Sequence, residues 1–153
     1  MTVTHTIGTG LGRDFASLEA WEQATDIQIT QIYEGIVYHD DTAGLPTFTY
    51  SNAMDRLLIQ GATNSAWNKY RRLAVAVGHK YDPVTQTGVW IKRQTNSVSS
   101  VKRDFIHIQE NHFRLEDFAV IDDLTNPSTA GHTTFVKVIA SVHYVRVMRL
   151  FVR

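Results

Sequence analysis

Phe105-Ile106-His107-Ile108 returns thirty residues later as Phe135-Val136-Lys137-Val138. The next segment returns too: Phe113-Arg114-Leu115-Glu116-Asp117-Phe118-Ala119-Val120 reappears thirty-two residues on as Val145-Arg146-Val147-Met148-Arg149-Leu150-Phe151-Val152. A loop from Asp122 to Thr134, rich in Asp, Asn, Pro, Ser, Thr and Gly, separates the copies. The two-residue difference in spacing fits within the turn that joins two strands. Several short strands recurring at fixed spacing are the mark of a β-solenoid, in which each coil buries its inner face on the next. A β-sandwich also uses short strands. The recurrence favours the solenoid. It places Lys137 beside His107, and it points His107 outward if Ile106 and Ile108 are buried.

Working outward from the repeat, the middle of the chain is also strand-like. Ile27, Ile29 and Ile32 alternate loosely with polar residues, and Ile36-Val37-Tyr38 leads into His39-Asp40-Asp41. Arg56 to Gly61 and Arg72 to Gly78 read as strands ended by glycine, and Val89-Trp90-Ile91-Lys92 as a short strand after Gly88. Asn64, Ser65, Asn68 and Lys69 mark a polar turn region. Near the start lies the one convincing helix, about residues 17–25, with Ser17 as N-cap and Glu19 in its first turn. Leu18, Trp21 and Ala24 fall on one face at helical spacing. So short a helix needs tertiary packing to persist. The expected organisation is an N-terminal cap over residues 1–26 and β-coils over residues 27–153, with continuation of the coils in a longer chain as an open alternative.

Composition removes several function classes. The chain has 153 residues, 43% of them hydrophobic, enough for one domain with a sizeable core. Fifteen basic and fifteen acidic side chains cancel, which argues against a general nucleic-acid binder. With no cysteine there is neither a disulfide framework nor a thiolate site. No run approaches the length of a transmembrane helix, and MTVTHTIGTG lacks the features of a secretory signal.

Ile7-Gly8-Thr9-Gly10, followed by Gly12-Arg13-Asp14-Phe15-Ala16-Ser17-Leu18-Glu19-Ala20-Trp21-Glu22, resembles the opening of right-handed parallel β-helix proteins of bacteriophages and bacteria. Further segments are similar in order: Tyr33-Glu34 to Asp40, Tyr70-Arg71-Arg72-Leu73 before Val75-Ala76-Val77-Gly78, and Thr87-Gly88-Val89-Trp90-Ile91. The matches span almost the whole chain. The resemblance implies a mainly β fold, a right-handed parallel β-helix with a short N-terminal capping helix. It also implies a tailspike, adhesin or virion appendage, often a homotrimer, and in some members one that binds or cleaves surface polysaccharide. Relatives are commonly longer, whereas this sequence stops in the apolar stretch from Val145 to Arg153. An unpaired coil end there is expected to be covered by further coils or by another chain.

The candidate chemistry is thin. Asp40-Asp41 and Asp122-Asp123 are adjacent carboxylates, but neighbours on a strand face opposite ways and Asp at strand ends serves turns. Glu116-Asp117 reads as part of a solvated face. Among seven histidines none has zinc-motif spacing; His39 beside Asp40 and Asp41 is the nearest to a metal cluster. No nucleophile elbow or phosphate loop is present, and Gly8, Gly10 and Gly12 read as a flexible lead-in to the cap. No cofactor and no metal are expected. Trp67, Tyr70, Arg71, Trp90, Val147, Leu150 and Phe151 are the candidate interface or binding residues, because aromatics and arginine favour interfaces and aromatics stack on sugars.

Two functions compete. One is a structural or binding component of a virion: a tailspike, fibre-associated or capsid-decorating protein partnered by itself and by other virion proteins, with surface polysaccharide as a further partner. Neither nucleic acid nor membrane insertion is expected of it. The other is a polysaccharide-degrading enzyme, lyase or hydrolase, or a carbohydrate-binding domain, using a groove on the β-helix; it would sit outside the cell or on a bacterial surface.

Overall fold

A computed structural model describes residues 1–40, 48–50, 57–93, 103–122, 133–139 and 141–152. The fold is mainly β. In chain order it comprises β1 (Thr2–Ile7), α1 (Leu18–Ala24), β2 (Ile32–Val37), β3 (Phe48–Tyr50), β4 (Leu57–Ile59), β5 (Arg71–Val75) and β6 (Trp90–Arg93). There follow β7 (Arg103–Ile108), β8 (Arg114–Glu116), β9 (Ala119–Asp122), β10 (Thr133–Val138), β11 (Arg146–Met148) and β12 (Phe151–Val152).

The strands form three sheets, ordered β1-β2-β5-β8-β11, β4-β7-β10 and β3-β6-β9-β12. Every pairing between these strands is parallel, which rules out the antiparallel sandwich. From β2 onward the chain visits the five-, four- and three-stranded sheets in unbroken rotation. The repeat read in the sequence is the pairing register itself. Ile106 and Val136 are partners, as are His107 and Lys137, while Leu115 pairs with Val147 and Val120 with Val152. Phe105 and Phe135 stack their rings with centroids 5.6 Å apart.

Inward side chains of all three sheets meet in one core, including Leu73 and Leu115 from the first, Ile106 from the second and Val120 from the third. Burying each such side chain stabilises the fold by about 1.5–3 kcal/mol. Two outward-facing positions are covered instead of exposed. His107 is buried although it stands between inward isoleucines, flanked in register by Leu58 and Lys137. Glu116 is buried as well, so Glu116-Asp117 is no solvated pair; its ion partners appear below.

The helix has the expected bounds. Ser17 is extended and its Oγ accepts from the Ala20 N–H at 3.1 Å, while Thr25 closes the other end with Oγ1 donating to the Trp21 carbonyl at 2.8 Å. Leu18 and Trp21 are buried, and so is Glu22. Trp21 reaches the core over Gly35, where a Cβ would stand 2.8–2.9 Å from Ile7, Leu73 and Trp21.

Two expectations about the first residues need correction. Thr2–Ile7 is a strand paired with β2, so the segment before the helix already belongs to the largest sheet. The glycine lead-in is a clamp with defined partners. The Asp40 carboxylate accepts from the Gly10 N–H at 3.0 Å and from Arg13 Nε at 2.9 Å, and an added Cβ at Gly8 would overlap it. Asp14 fastens the same loop to β1, accepting from the Thr6 N–H at 2.7 Å. Arg13 in turn lies 3.6 Å from the centre of the Tyr38 ring.

Candidate binding site

Three turns, far apart in sequence, stack at one edge of the five-stranded sheet. The first is the tight turn at Ala66–Lys69, closed by Ala66 and Lys69 exchanging backbone hydrogen bonds of 2.7 and 3.1 Å. Trp67 at its tip is 79% exposed. Ser65 ties this turn to the second, its hydroxyl donating to the Asn111 carbonyl at 2.9 Å. Asn111 Oδ1 then accepts from the His143 N–H at 2.7 Å, and the His112 N–H donates to the His143 carbonyl at 3.1 Å. The third turn is thereby locked onto the second.

Between them lies a pocket of about 200 Å³ lined by Trp67, Tyr70, His112, Arg114, Tyr144, Val145 and Arg146. The rings of His112 and Tyr144 stack with centroids 4.8 Å apart and nearly parallel planes. Arg114 sits over Tyr70, its guanidinium carbon 3.9 Å from the ring centre. His112 and Tyr144, equivalent positions of the repeat, both have left-handed backbones, with φ of 58° and 62°. That conformation is uncommon for a histidine and more so for a tyrosine, and costs about 1–3 kcal/mol each. Tyr144 nevertheless leaves its ring 76% exposed, so burial does not explain the strained position.

The structure thus brings Trp67 and Tyr70 together in the pocket, gathers Trp90 and Phe151 in a separate cluster around Tyr81, and places Arg71, Val147 and Leu150 elsewhere. Arg71 is a correction: it is fully buried, not part of an exposed surface. Its guanidinium donates to both Glu22 and Glu110, to the Gln60 carbonyl at 2.7 Å and to the Glu22 carbonyl at 2.9 Å. Strand alternation turns Arg71 inward and Arg72 outward, and only one of the adjacent arginines can be at the surface. Burial raises the Glu110 carboxyl above its usual range, with Glu22 and Asp26 adding to the rise and Arg71 opposing it. Trp90 is buried and stacks on Tyr81 at 5.3 Å, while the Phe151 ring meets Tyr81 at 5.0 Å in a tilted contact. Leu150 packs on the main core, and Val147 is part-exposed on β11.

Of the acidic candidates, Asp40 serves the clamp, where hydrogen bonding from Arg13 lowers its carboxyl below the usual range. Asp41, Asp123, Arg56, Lys102, His132, Arg153 and the loop 123–132 lie outside the described residues. His39 donates its N–H to His79 Nδ1 at 3.1 Å, and no metal-holding cluster of His, Asp or Glu occurs among the described residues. Arg72 bridges Glu34 and Glu116, the latter at 2.7 Å, and Arg149 with Lys80 holds Asp117. These pairs border a wider hollow of about 450 Å³ near Tyr38, Ala74 and Lys80, so its charges are already matched. His112, Arg114, Tyr144 and Arg146 were missing from the sequence-based candidates. His112 and Tyr144 stand one residue before the repeated segment, and Arg114 and Arg146 are equivalent residues within it, so the repeat was their available signal.

No helix among the described residues is long and apolar enough to cross a membrane. Compared with protein families, curated proteins and solved structures, the chain matches none.

Proposed function

We propose that the chain is a right-handed parallel β-helix with an N-terminal helical cap, acting as a binding and structural component of a virion, of tailspike, fibre-associated or capsid-decorating type. Support for the architecture is the rotation of strands through three parallel sheets, with strand partners thirty and thirty-two residues apart in the last coil. Right-handedness follows from the strong preference of parallel crossover connections. Trp21 and Leu18 support the capping role, since they lay an apolar face on the first strands. The virion setting and the homotrimer rest on the resemblance carried by residues 7–22.

One observation carries the binding function: the aromatic pocket on the wall of this stack. Exposed flat rings beside hydrogen-bonding side chains suit the apolar faces and hydroxyls of a sugar. A surface polysaccharide is therefore the proposed ligand, held by Trp67 and Tyr144 and oriented by the arginines. A lining of rings, one histidine and two arginines favours holding a glycan over hydrolysing it, because hydrolysis uses two opposed carboxylates.

The test is binding of a panel of neutral and acidic oligosaccharides, followed by titration calorimetry. Trp67→Ala is expected to weaken binding at least about tenfold while leaving the melting temperature unchanged, since the ring is mostly solvent-exposed. Tyr144→Gly separates function from folding: it removes a ring from the pocket and also relieves a left-handed backbone. Stability is expected to hold or rise as binding falls. If no saccharide binds, or if both variants bind as the parent does, the glycan reading is wrong.

A further inference from the structure

Resting on the glycan-binding reading, we infer that the pocket selects an acidic saccharide, its anionic group seated between Arg114 and Arg146. The argument begins with a row of side chains across the five-stranded sheet. In-register partners place Thr4, Glu34, Arg72, Arg114 and Arg146 side by side on successive strands. Adjacent strands are about 4.8 Å apart, so like charges in neighbouring positions repel. Three consecutive arginines are an unfavourable arrangement without counter-ions.

The counter-ions cover only the first. Arg72 is matched by Glu34 and Glu116. Among the described residues, Arg114 and Arg146 meet no carboxylate, and the pocket they line contains none. The contact with the Tyr70 ring holds the Arg114 guanidinium at the pocket wall, and a cation–π contact does not use up its N–H donors. A carboxylate or sulfate at this place would relieve the repulsion and gain charge-assisted hydrogen bonds from two guanidinium groups. The flanking rings of Trp67 and Tyr144 would take the face of the same sugar. Both demands are met together by a uronate or a sulfated sugar.

A single-stranded nucleic acid also offers rings and anions. It is disfavoured because its backbone is followed by a long basic track, whereas this chain is neutral overall and the pocket holds two cations.

The deciding experiment titrates the full chain with oligogalacturonate, a heparin oligosaccharide, a neutral malto-oligosaccharide and oligothymidylate, at low and high salt. At least one acidic sugar is expected to bind more tightly than the neutral one, with affinity falling as salt rises; the uronate and sulfate arms tell which anion is taken. Arg146→Gln, whose parent side chain makes no contact needed by the fold, is expected to cost about tenfold in acidic-sugar affinity. Its melting temperature should hold or rise, because one of two like charges in register is removed, its loss for the neutral sugar should be smaller than for the acidic one, and Arg146→Lys should recover part of the acidic-sugar loss. Equal binding of neutral and acidic sugars, or an Arg146→Gln variant that binds acidic sugars unchanged, overturns the inference and leaves the glycan reading standing. Tighter binding of oligothymidylate than of any sugar overturns it in favour of a nucleic-acid ligand. No saccharide binding at all removes both.

Discussion

At Arg71 a single guanidinium holds two buried carboxylates and two backbone carbonyls, joining α1 to β5 and to the segment after β7. Removing one partner of such a group leaves uncompensated buried charge, so Arg71→Leu is expected to lose about 3–5 kcal/mol at neutral pH. The loss should depend on pH with a definite sign. Glu110 already has a folded-state value raised by burial, and removing Arg71 takes away the interaction that restrains the rise. A carboxyl raised on folding favours the fold below its unfolded value and loses that advantage as pH rises through the folded one. Arg71→Leu is therefore expected to be more stable in mild acid than at neutrality, relative to the parent, as denaturant midpoints across pH would report. Asp40 has the opposite sign. Its value is lowered, chiefly by the Arg13 hydrogen bond, so its contribution is full above the unfolded carboxylate value of about 3.9 and disappears as pH falls through the lower folded value. Asp40→Asn should cost about 1–2 kcal/mol at neutrality, and the gap to the parent should narrow below about pH 4 in the same measurement.

Among the elements, β2 and α1 meet at Gly35, whose missing side chain makes room for Trp21. Gly35→Ala would force three apolar neighbours apart, an expected loss of about 1–3 kcal/mol with a changed near-ultraviolet signal from Trp21. An unaltered denaturant midpoint would show that Trp21 does not rely on this seat. Elements with a local pattern were legible in the sequence: the helix from Ser17, Glu19 and its apolar spacing, and the last strands from the thirty- and thirty-two-residue recurrence that proved to be their register. β1 was legible too, since Thr2-Val3-Thr4-His5-Thr6-Ile7 alternates with period two, but the glycines after it drew the reading toward a lead-in. The pocket was not legible as a unit. Trp67 and Tyr70 stood out as ring residues in a turn, yet their partners come from residues 112–114 and 144–146, joined only by strand stacking. Arg71 misled for a related reason: sequence does not mark which of two adjacent arginines alternation turns inward.

Across the whole molecule, the three sheets end together on β10, β11 and β12, each paired along one side only among the described residues. Their apolar side chains show what a further layer would cover. Val147 is 39% exposed where its in-register neighbour Leu115 is 1% exposed, and Val152 and Val138 are likewise part-exposed beside buried Val120 and Ile108. Edge strands with apolar side chains recruit other chains. Copies of this chain are the proposed cover: each brings the same open edges, and two such ends meet about a two-fold axis, a contact separate from the trimer that the resemblance carried by residues 7–22 implies. Sedimentation equilibrium is expected to give about twice 17.3 kDa for contact through these ends. A lysine placed on an edge strand is a natural deterrent to pairing. Val147→Lys combined with Val152→Lys should therefore shift the protein toward a folded monomer, because both positions are already part-exposed and neither change leaves a cavity in the core. A parent chain that stays a 17.3 kDa monomer at high concentration would refute self-association through this end. An oligomer that both lysines leave intact would move the contact to the sides of the stack.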